Sequence, residues 1–90
     1  MADAFAALVG LLARLEDERP YVTVDDVCQP GGGLPLDVAD AQALVAACIA
    51  DRRLFTDARE RFDLATGETR PVRLIRLNRR HPAVVAHLPD

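Results

Sequence analysis

Residues 55–78, FTDARERFDLATGETRPVRLIRLN, constrain the fold more than any other stretch of the chain. Two strand-like runs flank Ala65-Thr66-Gly67-Glu68, a turn in which glycine supplies the positive φ that closes a hairpin. The first run offers Phe55, Phe62 and Leu64 as inward residues, and the return strand covers residues 72–77. Pro71 cannot donate to a ladder, so it holds the start of that strand at an edge or a bulge. Val72-Arg73-Leu74 alternates, and so does Ile75-Arg76-Leu77, but the two are out of phase. A bulge near Leu74 and Ile75, or burial of both faces, reconciles them. Seven of the eleven basic residues lie in this hairpin or just after it: Arg59, Arg61, Arg70, Arg73, Arg76, Arg79 and Arg80.

Everything before the hairpin reads as helical. Phe5, Leu8, Val9, Leu11, Leu12 and Leu15 recur at helical spacing and predict a first helix over residues 3–18, with Asp3 as cap or first-turn acid. No charge falls between Ala4 and Ala13. A helix on the outside of a small domain shows a polar stripe there. Two readings follow: a central helix covered by alanine faces, or a helix that meets a second subunit through Phe5, Leu8, Val9 and Leu12. Tyr21-Val22-Thr23 is suited to a short strand. Thr23 or Asp25 caps a second helix over residues 24–29, with acids in its first turn. Pro30-Gly31-Gly32-Gly33 lacks the Gly-Lys-Ser/Thr ending of a phosphate-binding loop and reads as a connector. Asp37 caps a third helix over residues 37–53, whose inner face is Val38, Ala41, Leu44, Val45, Cys48 and Ile49. After the hairpin, His81-Pro82 opens a short last helix packed by Val84, Val85 and Leu88.

Ninety residues make one domain, spanning residues 1–90. Half of them are apolar and few are aromatic, so Leu, Val, Ile and Ala build the core. The net charge of −3 argues against a generic nucleic-acid binder, but it is unevenly spread. Residues 1–50 carry two arginines against eight acids, and residues 51–90 carry nine arginines against six. Lysine is absent, which matches the codon bias of a GC-rich genome and weakens any inference from the choice of arginine. Cys28 and Cys48 are too few for a disulfide framework or a zinc site and suit a reduced, cytoplasmic setting. The apolar run near the N-terminus is too short to span a bilayer and lacks a basic flank, so neither a membrane segment nor a signal peptide is expected.

Catalysis requires a nucleophile with a base, a metal site, or paired acids in a cleft. The chain has no serine, its two histidines lack ligand-spaced partners, and Asp25-Asp26 is explained by helix capping. The expectation is a protein without enzyme activity, metal or cofactor. Binding remains. Arg70, Arg73, Arg76, Arg79 and Arg80 line one strand and its exit, where they can lie along phosphates or pair with Glu60 and Asp63 across the hairpin. Arg70 and Arg76 share a strand face if no bulge intervenes, and Arg73 takes the other.

The order helix, short strand, helix, helix, hairpin resembles the winged-helix superfamily, and Leu74-Ile75-Arg76-Leu77-Asn78-Arg79-Arg80-His81-Pro82 looks like the last wing strand and exit of several bacterial members. The resemblance implies an α+β fold of three helices followed by a two-stranded β-hairpin wing, about residues 55–78, and a short C-terminal helix. It also implies DNA binding through Arg59, Arg61, Arg70, Arg73, Arg76, Arg79 and Arg80, in the manner of a transcriptional regulator. DNA-binding members insert the start of their third helix into the major groove. Here that start is Asp37-Val38-Ala39-Asp40-Ala41-Gln42, with two acids and no base. The alternative is a protein-interaction or dimerisation module within a larger assembly, which fits the acidic start of that helix and the charge-free first helix.

Overall fold

The computed structural model describes residues 4–29 and 33–88. The expected cap Asp3 and the connector residues Pro30, Gly31 and Gly32 lie outside the described residues. The elements run α1 (Ala4–Glu18), β1 (Val22–Thr23), α2 (Val24–Cys28), α3 (Val38–Ala50), β2 (Leu54–Asp63), β3 (Glu68–Leu77) and α4 (Pro82–Val85).

The expected architecture of three helices and a two-stranded wing is corrected by the sheet. Val22 pairs with Ile75 and Thr23 with Leu74, so β1 joins the hairpin in a three-stranded antiparallel sheet of order β1-β3-β2. Together with α4, the described residues hold four helices around that sheet. The short strand expected at Tyr21-Val22-Thr23 is thus a member of the sheet, and the hairpin is not a separate two-stranded wing.

Local chemistry sets most helix boundaries. Thr23 and Asp26 form a reciprocal capping box: the Asp26 amide donates to Thr23 Oγ1 at 3.2 Å, and the Thr23 amide donates to Asp26 Oδ2 at 2.9 Å. Asp37 accepts the Asp40 amide at 2.8 Å at the start of α3. His81 Nδ1 accepts the Ala83 amide at 3.1 Å ahead of Pro82, the first residue of α4. The α3 helix ends three residues earlier than expected, at Ala50 rather than Arg53. The Arg53 amide donates to the Cys48 carbonyl at 2.9 Å and the Arg52 amide to the Ile49 carbonyl at 3.1 Å. That pair of bonds is a Schellman closure, and it forces a left-handed residue into the position glycine favours. Arg52 takes it, with φ +60°.

One core joins the elements. Leu8, Val9 and Leu12 of α1 are fully enclosed, beside Val27, Cys28, Val45, Cys48, Leu54, Ile75, Leu77 and Val84. The α1 residues Phe5, Leu8, Val9 and Leu12, expected at a subunit interface, therefore lie inside the monomer. Burying a leucine contributes about 1.5–3 kcal/mol, and that gain explains why the charge-free stripe of α1 turns inward. Burial raises the thiol pKa of Cys28, with a further push from Asp25. Burial also raises that of Cys48, with Arg53 opposing and Asp51 adding to the shift. Among the described residues no helix is long and apolar enough to cross a membrane.

Candidate interaction surface

The β2–β3 ladder keeps one register from Leu54↔Leu77 to Asp63↔Glu68. No bulge interrupts it, so alternation alone assigns the faces. The inner face carries Leu54, Ile75 and Leu77 into the core, followed toward the tip by Thr56, Ala58, Arg73, Glu60 and Phe62. The outer face carries Phe55, Arg76, Asp57, Leu74, Arg59, Val72, Arg61 and Arg70. Val72 and Leu74 are half-buried on that outer face, which is how the two alternations of β3 fit one straight strand.

The expected arginine ribbon is divided by this geometry. Arg59, Arg61, Arg70 and Arg76 share the outer face, Arg73 projects from the inner one, and Arg79 and Arg80 lie past the end of β3. Carboxylates are interleaved with them. Arg59 Nε lies 2.9 Å from Asp57 Oδ2. Arg76 and Arg79 approach Glu16 Oε1 at 3.8 and 3.7 Å. Arg61 faces Arg70 across the strands, and the next pair on the same face is Asp63 with Glu68. Like charges directly opposite cost a few tenths to about 1 kcal/mol, and the diagonal acids offset part of that. The hairpin is thus a mixed-charge surface and not a continuous cationic track.

Helix α3 does not join the arginines. Its buried residues Ala41, Val45 and Cys48 pack into the core on the inner side of the sheet. Its exposed residues, Ala39, Asp40, Gln42, Ala43, Ala46, Ala47 and Ala50, include no base. The core-packed helix α3 and the outer-face arginines Arg59, Arg61, Arg70 and Arg76 therefore lie on opposite sides of the sheet, where they could not meet one duplex together.

The outer face holds a feature that sequence reasoning missed. Phe55 was expected to face inward, but it is 56 % exposed and pairs with Arg76. Tyr21 precedes β1 by one residue, so it continues the row on the other side of β3 and is 64 % exposed. Tyr21, Arg76 and Phe55 form one row across the sheet and line a shallow cleft of about 450 Å³ with Glu16 and Leu74. A second cleft of about 500 Å³ adjoins it through Tyr21, Arg59 and Leu74 and extends to Val72 and Arg61. The available signal was the phase of Tyr21 against inward Val22, which places the tyrosine outward once β1 is paired.

Glu16 positions this row. The β1 strand is too short to pair with Leu77, whose amide points to the β1 side of β3. Glu16 Oε2 accepts that amide at 3.2 Å and stands in for the missing strand. The Arg19–Asp26 pair at 3.3 Å ties the end of α1 to α2. Asn78 closes the base of the hairpin: its amide donates to the Arg53 carbonyl at 3.0 Å and its Nδ2 to the Arg52 carbonyl at 2.8 Å.

The remaining exposed apolar residues sit at the hairpin tip. Phe62 and Leu64, also expected to face inward, are 59 % and 89 % exposed. Ten-residue strands carry the tip past the end of the helical layer, where no core residue can cover it. Among the described residues no group of three His, Cys, Asp or Glu is placed to hold a metal ion. Comparison with known proteins finds no family model, no curated protein and no solved structure that matches this chain.

Proposed function

We propose that this chain is a non-enzymatic protein-interaction module whose docking surface is the outer face of its sheet. The row Tyr21–Arg76–Phe55, over a floor of Leu74 and Val72, carries the reading. Exposed aromatics flanking an arginine are the composition that dominates binding energy at protein interfaces. Glu16 and Asp57 line the same cleft, and carboxylates there disfavour a phosphate backbone while suiting a partner of mixed charge.

A second reading, DNA binding through the hairpin, is favoured by one observation. Arg61 and Arg70 face each other, and neither makes an ion pair among the described residues. Contacts from those arginines would go to the backbone and carry no sequence preference.

The test uses the chain as bait in an extract of its source, followed by affinity measurement with the purified partner. Tyr21→Ala/Arg76→Ala should weaken that affinity by tenfold or more, roughly the 1.4 kcal/mol expected of one interfacial anchor. Unchanged affinity overturns the assignment of the face. Labelled duplex DNA at low salt is the parallel measurement. Binding that is lost in Arg61→Ala/Arg70→Ala transfers the function to nucleic acid.

A further inference from the structure

We infer that one partner is a second copy of this chain, joined through the free edge of β2 in an antiparallel register centred on Ala58. The inference goes beyond the outer-face reading, because it places a second contact on the strand edge beside that face and names its occupant.

The sheet order leaves β2 as an edge strand along its whole length. The Asn78 amide bonds the Arg53 carbonyl at 3.0 Å, one step beyond the Leu54↔Leu77 pair. Hydrogen-bonded and non-hydrogen-bonded pairs alternate in an antiparallel ladder. Arg53, Phe55, Asp57, Arg59 and Arg61 therefore turn their backbone groups toward β3. Thr56, Ala58, Glu60 and Phe62 turn theirs to the open edge, where they can template another strand. The free part of β3 is different. Its outward-facing positions are Thr69, Pro71 and Arg73, and Pro71 has no amide to offer at the centre. One edge is blunted and the other is not.

Charge decides what the open edge accepts. Edge-to-edge pairing of two identical strands allows few registers, because the outward residues must meet outward residues. Centring on Glu60 stacks Arg59 on Arg61 and Asp57 on Asp63 of the second copy. Centring on Arg59 places that residue against itself. Centring on Ala58 sets Asp57 against Arg59 twice, Phe55 against Arg61 twice, and Thr56 against Glu60 twice. Every charged outer-face residue then meets an opposite charge or an aromatic face, and the small alanine sits on the two-fold axis. The same register puts Phe62 opposite Leu54 of the second copy. The exposed tip of each hairpin then reaches the base of the other, beside its core residue Leu54. The two helical layers lie at opposite ends of the joined strands, about eight residues or 27 Å apart at the strand rise, so they leave each other room.

Sedimentation equilibrium of the full chain from micromolar to millimolar concentration tests this. The wild type should self-associate to a dimer. Ala58→Pro should be monomeric with an unchanged circular dichroism spectrum, because the amide it removes points away from β3. Asp57→Arg and Arg59→Asp should each weaken the dimer about tenfold or more, and the double variant should restore it, since the swap returns opposite charges to both 57–59 contacts of the Ala58-centred pairing. A wild type that stays monomeric, a dimer unaffected by Ala58→Pro, or a double variant weaker than both singles overturns the inference. None of these touches Tyr21 or Arg76, so a failed edge leaves the outer-face assay to judge the interaction reading separately.

Discussion

Removing the Glu16 carboxylate tests how the short β1 strand is tolerated. In Glu16→Ala the Leu77 amide loses its acceptor at a half-buried strand end. A hydrogen bond to a charged group contributes about 1.5–3 kcal/mol. The contacts to Arg76 at 3.8 Å and Arg79 at 3.7 Å add little, because both are long and both arginine side chains are exposed to water. Exposed pairs of that kind are worth roughly a few tenths of a kcal/mol each. The expected cost of Glu16→Ala is therefore about 2–3 kcal/mol, a large share of the stability of a domain this size. Glu16→Gln keeps an oxygen acceptor and should cost about 1 kcal/mol. Urea unfolding followed by far-ultraviolet circular dichroism, at low and at high salt, measures both. Salt should remove only the small ion-pair share. Equal costs for the two variants, or a cost for Glu16→Ala within about 0.5 kcal/mol of zero, would refute the reasoning.

Other consequences are open to similar measurement. Arg52→Gly should stabilise the chain by about 1 kcal/mol, because φ +60° at the end of α3 strains any residue with a Cβ; a rise in the urea midpoint with unchanged slope is the expected result. Leu8→Ala, at a fully enclosed position, should cost about 2–5 kcal/mol by the same assay. The raised thiol pKa values of Cys28 and Cys48 mean that the folded state holds its thiol protons longer than the unfolded chain does. That contribution is fully present below the ordinary thiol value of 9.0 and is lost as pH rises above it, so stability should fall in alkaline solution. The loss should be smaller in Cys28→Ala/Cys48→Ala, and neither native thiol should react with a disulfide reagent at neutral pH until the chain unfolds.

What the sequence made legible was local. The Gly67 turn, the Thr23 and Asp37 caps and Pro82 at the start of α4 each rest on residues within a few positions of one another, and each stands where its chemistry requires. The end of α3 was misplaced because its stop is not a glycine: a Schellman closure around Arg52 has no residue-type signature. Facing was harder. Phe55, Phe62 and Leu64 look like core residues by type, yet their exposure depends on how far the hairpin outruns the helices, a property of three-dimensional length. The arginine ribbon dissolved for a related reason. Adjacent arginines in β3 occupy opposite faces, and the acids that pair with the outer ones, Asp57 and Glu16, come from β2 and α1. The row Tyr21–Arg76–Phe55 draws on three strands' worth of sequence and became visible only when β1 took its place beside β3.

The claim that this hairpin meets protein through its edge is tested most directly by amide hydrogen exchange along β2. The account predicts that Thr56, Ala58 and Glu60, whose amides point outward, exchange quickly in dilute solution and become protected as the chain is concentrated, while Asp57 and Arg59 are protected throughout. Fast exchange at Thr56, Ala58 and Glu60 at every concentration would contradict it.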